Sequence, residues 1–247
     1  LQLNVSGSGF KAYSLGVETN AYKMVNVGMD ITLYPSNSSV EFKDNRDNPS
    51  SKWTWYPGFR PDENGENAPY AESTAILENL YITGNHAYNG GGVGVFRLIG
   101  PVINNVIVEN NTAKTHGGGI FHHNAKSHIS NTLVKDNEAQ IENGGGIMFA
   151  WSGGTLTDVT IENNNSGYFG GGMWANQSYE LMLSGVSFVG NTAAQNGGGW
   201  ASHGSDAEFS DCQFENNTAS VSIQDGNEFG GGAMWLVGSN PYLYDVT

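Results

Sequence analysis

Histidines, carboxylates and glycines are the residues of this chain whose spacing could do chemistry. His116, His122, His123 and His128 crowd one stretch, with His203 further on. A metal site needs such side chains to converge, yet His122 and His123 are adjacent and point to opposite faces of an extended segment. Exposed or partly exposed histidines are the simpler expectation, so neither a metal nor a cofactor is assigned. A glycosidase needs two carboxyls roughly 5–9.5 Å apart. Asp158, Asp211 and Asp245 recur where Asn and Gly also stand, which marks a turn requirement. Glu109, Asp136, Glu162 and Glu215 read as solvated positions, and Glu180 with Asp206 stays open as a carboxyl pair. A lyase acting on uronic acids needs Lys or Arg, and the repeats hold only Arg97, Lys114, Lys126 and Lys135. Glycine triplets beginning at Gly90, Gly117, Gly144, Gly170, Gly197 and Gly230 suggest a phosphate loop, but no Lys-Ser/Thr completes one. The calcium-binding nonapeptide rhythm is also missing. Cys212 falls in an apolar column with Val106, Val159 and Val186, the place of an inert buried thiol. No catalytic residue is therefore assigned.

What must position all of these is a repeat. Leu77, Ile103, Ile129, Leu156, Leu183, Phe209 and Leu243 are spaced by 26, 26, 27, 27, 26 and 34 residues. A core column (Ile82, Val108, Val134, Ile161, Phe188, Phe214) and an asparagine column (Asn85, Asn111, Asn137, Asn164, Asn191, Asn217) keep the same step. Between the first two columns lies a position occupied only by Asn, Asp or Gly, from Asn79 and Asn105 to Asp211 and Asp245, residues that tolerate left-handed backbone. Three short strands and three bends in about 26–27 residues make one coil of an all-β, single-stranded parallel β-helix. Crossover sterics favour the right-handed form. Equivalent asparagines then stack as a ladder of amides.

The 247 residues include 35 glycines, and 10 Lys+Arg against 24 Asp+Glu give a net charge of −14. No Lys or Arg follows Lys135, so the last four copies should repel nucleic acid, anionic lipid and acidic polysaccharide. No apolar run is long enough for direct membrane insertion. Residues 1–45 read as N-terminal coils of the helix. Residues 46–75 read as an inserted Pro- and aromatic-rich loop. Its Trp53, Trp55, Tyr56 and Phe59 either bind a partner or fold back over the stack. Residues 76–247 are the repeat helix, which is expected to continue beyond Thr247 in a longer polypeptide, since a bare coil edge invites aggregation.

The strand after each glycine triplet is apolar on both faces. With Ile120, Ile147, Met173 and Trp200 turned inward, Phe121, Met148, Trp174 and Met234 form an outward stripe, flanked by Phe96, His123, Asn176 and His203. Such a stripe could dock sugars or a protein, or lie beneath another segment of the same polypeptide; the opposite facing is also open.

The aromatic-x-x-Asn signature in Phe188-Val-Gly-Asn191 and Phe214-Glu-Asn-Asn217, paired with Gly-Gly-Gly-Ile at 117–120 and 144–147, resembles the repeats of the polymorphic outer membrane protein family. The resemblance spans about two thirds of the chain. It implies a secreted protein at the bacterial cell surface, an adhesin or structural scaffold binding a glycan, a cell-surface protein or a neighbouring subunit of its own assembly. A carbohydrate-active β-helix enzyme, a glycosidase before a polysaccharide lyase, is the alternative.

Overall fold

A computed structural model describes residues 71–73, 75–220 and 230–247, with the short strands Val5–Ser6 and Ile31–Leu33. The described residues are strands and bends with no helix, wound as a parallel β-solenoid. One coil shows the plan. Leu98–Asn104 lies in the first sheet, Ile107–Glu109 in the second, Thr112–His116 in the third and Ile120–His123 in the fourth. Lys126–Ser130 then re-enters the first sheet beside Leu98–Asn104.

The repeat columns superpose as the spacing requires. Val134 pairs with Val108 on one side and Ile161 on the other. Ile129 lies between Ile103 and Leu156. These side chains, with Phe188, Phe209 and Trp200, make one core running through the stack, and all are at most 1% exposed. Apolar side chains at every second position of a strand suffice to fill such an interior.

Each coil has four strands where the sequence suggested three. The extra one is a strand of two residues, as at Glu138–Ala139 or Thr192–Ala193. Two residues are too few to show a period of two, but their stacking makes them a sheet: Ala113, Ala139, Ser166 and Ala193 lie in one file. Four strands require four corners, and at each the backbone turns through a left-handed residue. The φ values are 51° at Asn105, 55° at Asn110, 62° at Gly117 and 50° at Asn124.

The asparagine ladder forms. Asn111 donates its backbone N–H and its Nδ2 to Oδ1 of Asn137, each at 3.0 Å, and Nδ2 also reaches the Ile82 carbonyl at 3.0 Å. The same set recurs at Asn137, Asn164 and Asn191. The amides thus satisfy polar groups that a buried corner would otherwise leave unpaired.

The middle glycine of each triplet serves close approach. A Cβ on Gly118 would stand 2.3 Å from the Gly145 oxygen and 2.5 Å from the Glu138 carbonyl carbon.

In the last copy the triplet is displaced by one residue. Gly231, with φ of 75°, takes the place of Gly197, and Ala233 that of Gly199. The surplus residues of that copy fall between Ala219 and Gly231, and 221–229 lie outside the described residues.

At the other end, Ile31–Leu33 joins the fourth sheet in parallel beside Val93–Val95, while Val5–Ser6 pairs antiparallel with Ile76–Leu77. The rest of 1–45 and the insertion through Tyr70, with Trp53, Trp55, Tyr56 and Phe59, lie outside the described residues.

Candidate functional site

Among the described residues, the fourth sheet is the face that carries buried apolar clusters on both sides. Ile120, Ile147, Met173 and Trp200 form its inward file and join the main core. Phe121, Met148, Trp174 and Ala201 form the next file, which points outward into a second, smaller cluster with Ala150. Phe96, Phe169 and Trp235 pack against that cluster.

Met234 is not in this stripe. The one-residue displacement of the last triplet places it beside Trp200 in the inward file, and Trp235 takes the outward position.

The stripe is outward but covered. Phe121, Met148 and Trp174 are 4%, 4% and 6% exposed. Residues preceding the glycine corner flank it on one side: His116 stacks on Phe121 with centroids 6.1 Å apart, and Phe169 lies 5.2 Å from Trp174 and 4.9 Å from Trp235. On the other side stands the last residue of each strand: Phe96, His123, Ala150, Asn176, His203 and Val237 in register. Of these, Phe96, His123 and Asn176 are part-exposed, and His203 is exposed.

A variable corner after this strand was expected from the sequence, as at Gly204-Ser-Asp206; its left-handed backbone at Arg97, Trp151 and Gln177 was not. It is built by Arg97, Asn124, Trp151, Gln177, Gly204 and Gly238, all at φ between 47° and 57°. The other three corner files hold only Gly, Asn and Asp, as in Asn79 to Asp245, Gly84 to Asn216, and Gly90 to Gly231. Arg, Trp and Gln have no local means of easing left-handed backbone, so Arg97, Trp151 and Gln177 each bear strain of about 1–2 kcal/mol. Asn124, Gly204 and Gly238 suit such a turn by residue type, and Arg97, Trp151 and Gln177 do not.

A serine ladder holds the corner in place. Ser152 Oγ donates to the Ala150 carbonyl at 2.8 Å, bracketing Trp151, and accepts the Ala125 N–H at 3.1 Å. Ser178 does the same around Gln177, donating to Asn176 O and accepting from Ser152 N. Ser205 and Ser239 continue the file.

On this frame Trp151 is 46% exposed, with its ring edge-on to His123 at 5.4 Å and its Nε1 donating to Oε1 of Gln177. Asn124 Nδ2 meets His123 Nδ1 at 3.3 Å, and His203 Nδ1 meets Asn176 Oδ1 at 3.4 Å.

The remaining sequence candidates are engaged elsewhere. His122, expected at least partly exposed, is wholly buried: it is on the inward file between Val95 and Phe149 and stacks on Phe149 at 4.3 Å. Neither ring nitrogen has a hydrogen-bond partner, and desolvation pushes its pKa down to about 3. Desolvation also lowers His116 and His123.

Glu180 pairs with Lys126, and Asp206 Oδ1 accepts the Asn240 N–H at 2.8 Å. Glu109 takes the Tyr81 hydroxyl and the Lys135 ammonium, the latter at 2.9 Å, and these bonds lower its pKa. Asp158, Asp211 and Asp245 sit at φ of 53°, 54° and 47°, as corner residues should. Among the described residues no three His, Cys, Asp or Glu side chains converge as metal ligands do.

The Chlamydia polymorphic membrane protein repeat matches residues 105–122, one run from the Asn105 corner through Asn111 and the glycine triplet into the fourth sheet. No curated protein and no solved structure matches the chain. The match and the fold fit a surface β-helix protein. The run 105–122 is therefore similar to a polymorphic membrane protein repeat, and it lies within coils stacked one on the next as a parallel β-helix.

Proposed function

We propose that this chain is a section of an extracellular bacterial surface or secreted protein and acts as an adhesin or binding scaffold. It meets a glycan, a cell-surface protein or another segment of its own assembly through the outer side of the fourth sheet. The observation that carries this reading is the second aromatic cluster. A solenoid interior needs apolar side chains on one side of each strand, and this sheet places them on both. Large, rigid rings bordered by His and Asn are the composition of contact surfaces. Of the carboxylates a glycosidase could use, Glu180 is engaged with Lys126, Glu109 with Lys135 and Tyr81, and Asp206 with Asn240.

The test is retention of the immobilised chain on cell surfaces and on a glycan panel. Saturable binding, reduced by the substitution His203→Ala at the exposed strand end with an unchanged denaturant midpoint, is expected. Absence of binding to every surface overturns the proposal, and release of reducing ends from the panel puts a glycosidase in its place.

A further inference from the structure

We infer that the corner file Arg97, Asn124, Trp151 and Gln177 is a binding ridge for a neutral polysaccharide chain lying along the solenoid axis. The inference rests on the binding reading above and names its site and ligand class.

Backbone strain is the first ground. Gly204 and Gly238 show that glycine fills this corner without cost, and the other three corners keep to Gly, Asn and Asp. Trp and Gln at Trp151 and Gln177 therefore occupy the strained conformation for a reason other than the turn. The serine ladder over-determines the backbone there, which is what allows strain to persist. A half-exposed ring on so fixed a backbone is pre-organised, and its fixed orientation lowers the entropic cost of binding.

Charge is the second ground. The chain carries 24 Asp+Glu, and carboxylates stand on two neighbouring corners at Asp136, Asp158 and Asp211. The ridge and the strand ends beside it, from Phe96-Arg97 to Val237-Gly238, hold none. What they hold is aromatic rings, amides, imidazoles and a single cation, the Arg97 guanidinium, within a chain of net charge −14. Trp151 offers a flat face to the C–H side of a sugar ring, while Asn124, Asn176, Gln177 and His203 offer donors and acceptors to hydroxyls.

Ala150 is the small member of a file that otherwise contains Phe96, His123, Asn176 and His203, and it lies directly before Trp151. Its size leaves the Trp151 ring room to lean against His123.

Affinity electrophoresis of the whole chain tests this, in native gels containing galactomannan, hydroxyethylcellulose or dextran, with polygalacturonate as the anionic comparison. At least one neutral polymer should retard the chain, and polygalacturonate should not. Trp151→Gly should weaken retardation at least about tenfold, the loss expected of a central aromatic anchor. Its denaturant midpoint should stay level or rise, because glycine relieves the corner.

The inference is overturned if no neutral polymer retards the chain, if Trp151→Gly binds as before, or if Trp151→Gly lowers the midpoint and so marks Trp151 as a packing residue. Cell-surface binding that survives Trp151→Gly sinks the ridge and leaves the broader binding reading standing. A wild-type chain that binds no surface at all sinks both.

Discussion

The Oδ1 atom of Asn137 accepts two hydrogen bonds from Asn111, one from its backbone N–H and one from its Nδ2, both at 3.0 Å. Asn137 sends its own Nδ2 to the Val108 carbonyl at 2.9 Å and to Asn164. Replacing it with Ala strands a buried N–H, a buried amide and a buried carbonyl. We expect Asn137→Ala to cost about 3 kcal/mol, from several buried groups left unpaired. Asn217→Ala, at a part-buried rung, should cost less. Urea midpoints decide, and equal losses at the two sites would contradict the ladder's role.

His122 makes stability depend on pH. Its folded-state pKa is lowered to about 3, whereas an unfolded histidine titrates near 6.5. Between those values the unfolded chain binds the proton and the folded one does not. The contribution is therefore whole above pH ~6.5 and is lost as pH falls, by up to about 1.4 kcal/mol per unit, levelling off near pH 3. His116 and His123, lowered in the same direction, add to the slope. His122→Phe should flatten the acid limb of a stability–pH curve and raise stability at neutral pH by removing two unpaired nitrogens. An unchanged acid limb would refute this.

Gly118 and Gly230 should respond oppositely to alanine. At Gly118 the methyl would press on the backbone of the adjoining coil and of the third sheet, forcing strands apart at a cost of about 3 kcal/mol or more. At Gly230 nothing lies within 4 Å, so Gly230→Ala should fall within about 0.5 kcal/mol of the parent. Thermal melts of the two variants check the difference.

Cys212 is 1% exposed, and burial raises its pKa. Its thiol should resist iodoacetamide in the folded chain and react only on global unfolding, because the thiolate is the reactive form. Rapid alkylation under native conditions would show that its coil opens locally.

The period, the core files and the asparagine ladder were all legible in the sequence, because stacking coils repeats the same side chain at the same place: Val108, Val134 and Ile161 are both a sequence column and a contact file. The third sheet was not legible. Glu138–Ala139 is too short to alternate, and only pairing with Thr112–Ala113 makes it a strand.

The facing of the fourth sheet was ambiguous, because Phe121 and Trp174 are buried outside the core as well as Ile120 and Met173 within it. Met234 was misplaced because a glycine run carries no mark of which glycine turns the corner, and the corner proved to be Gly231. The left-handed turn at Trp151, within a corner the sequence did announce at Gly204, was not legible for a different reason. Left-handed backbone is inferred from Gly, Asn or Asp, and Trp151 reaches it through neighbours that hold it there.

Because the described strands from Leu98 to Val237 bond to their counterparts one coil before and one coil after, these coils have no long-distance joint to protect. Recombination that copies or deletes a segment of 26 or 27 residues would return every neighbouring file to register. Length is thus a freely inherited variable for such a protein, and relatives should differ by whole coils more readily than by a single residue within one.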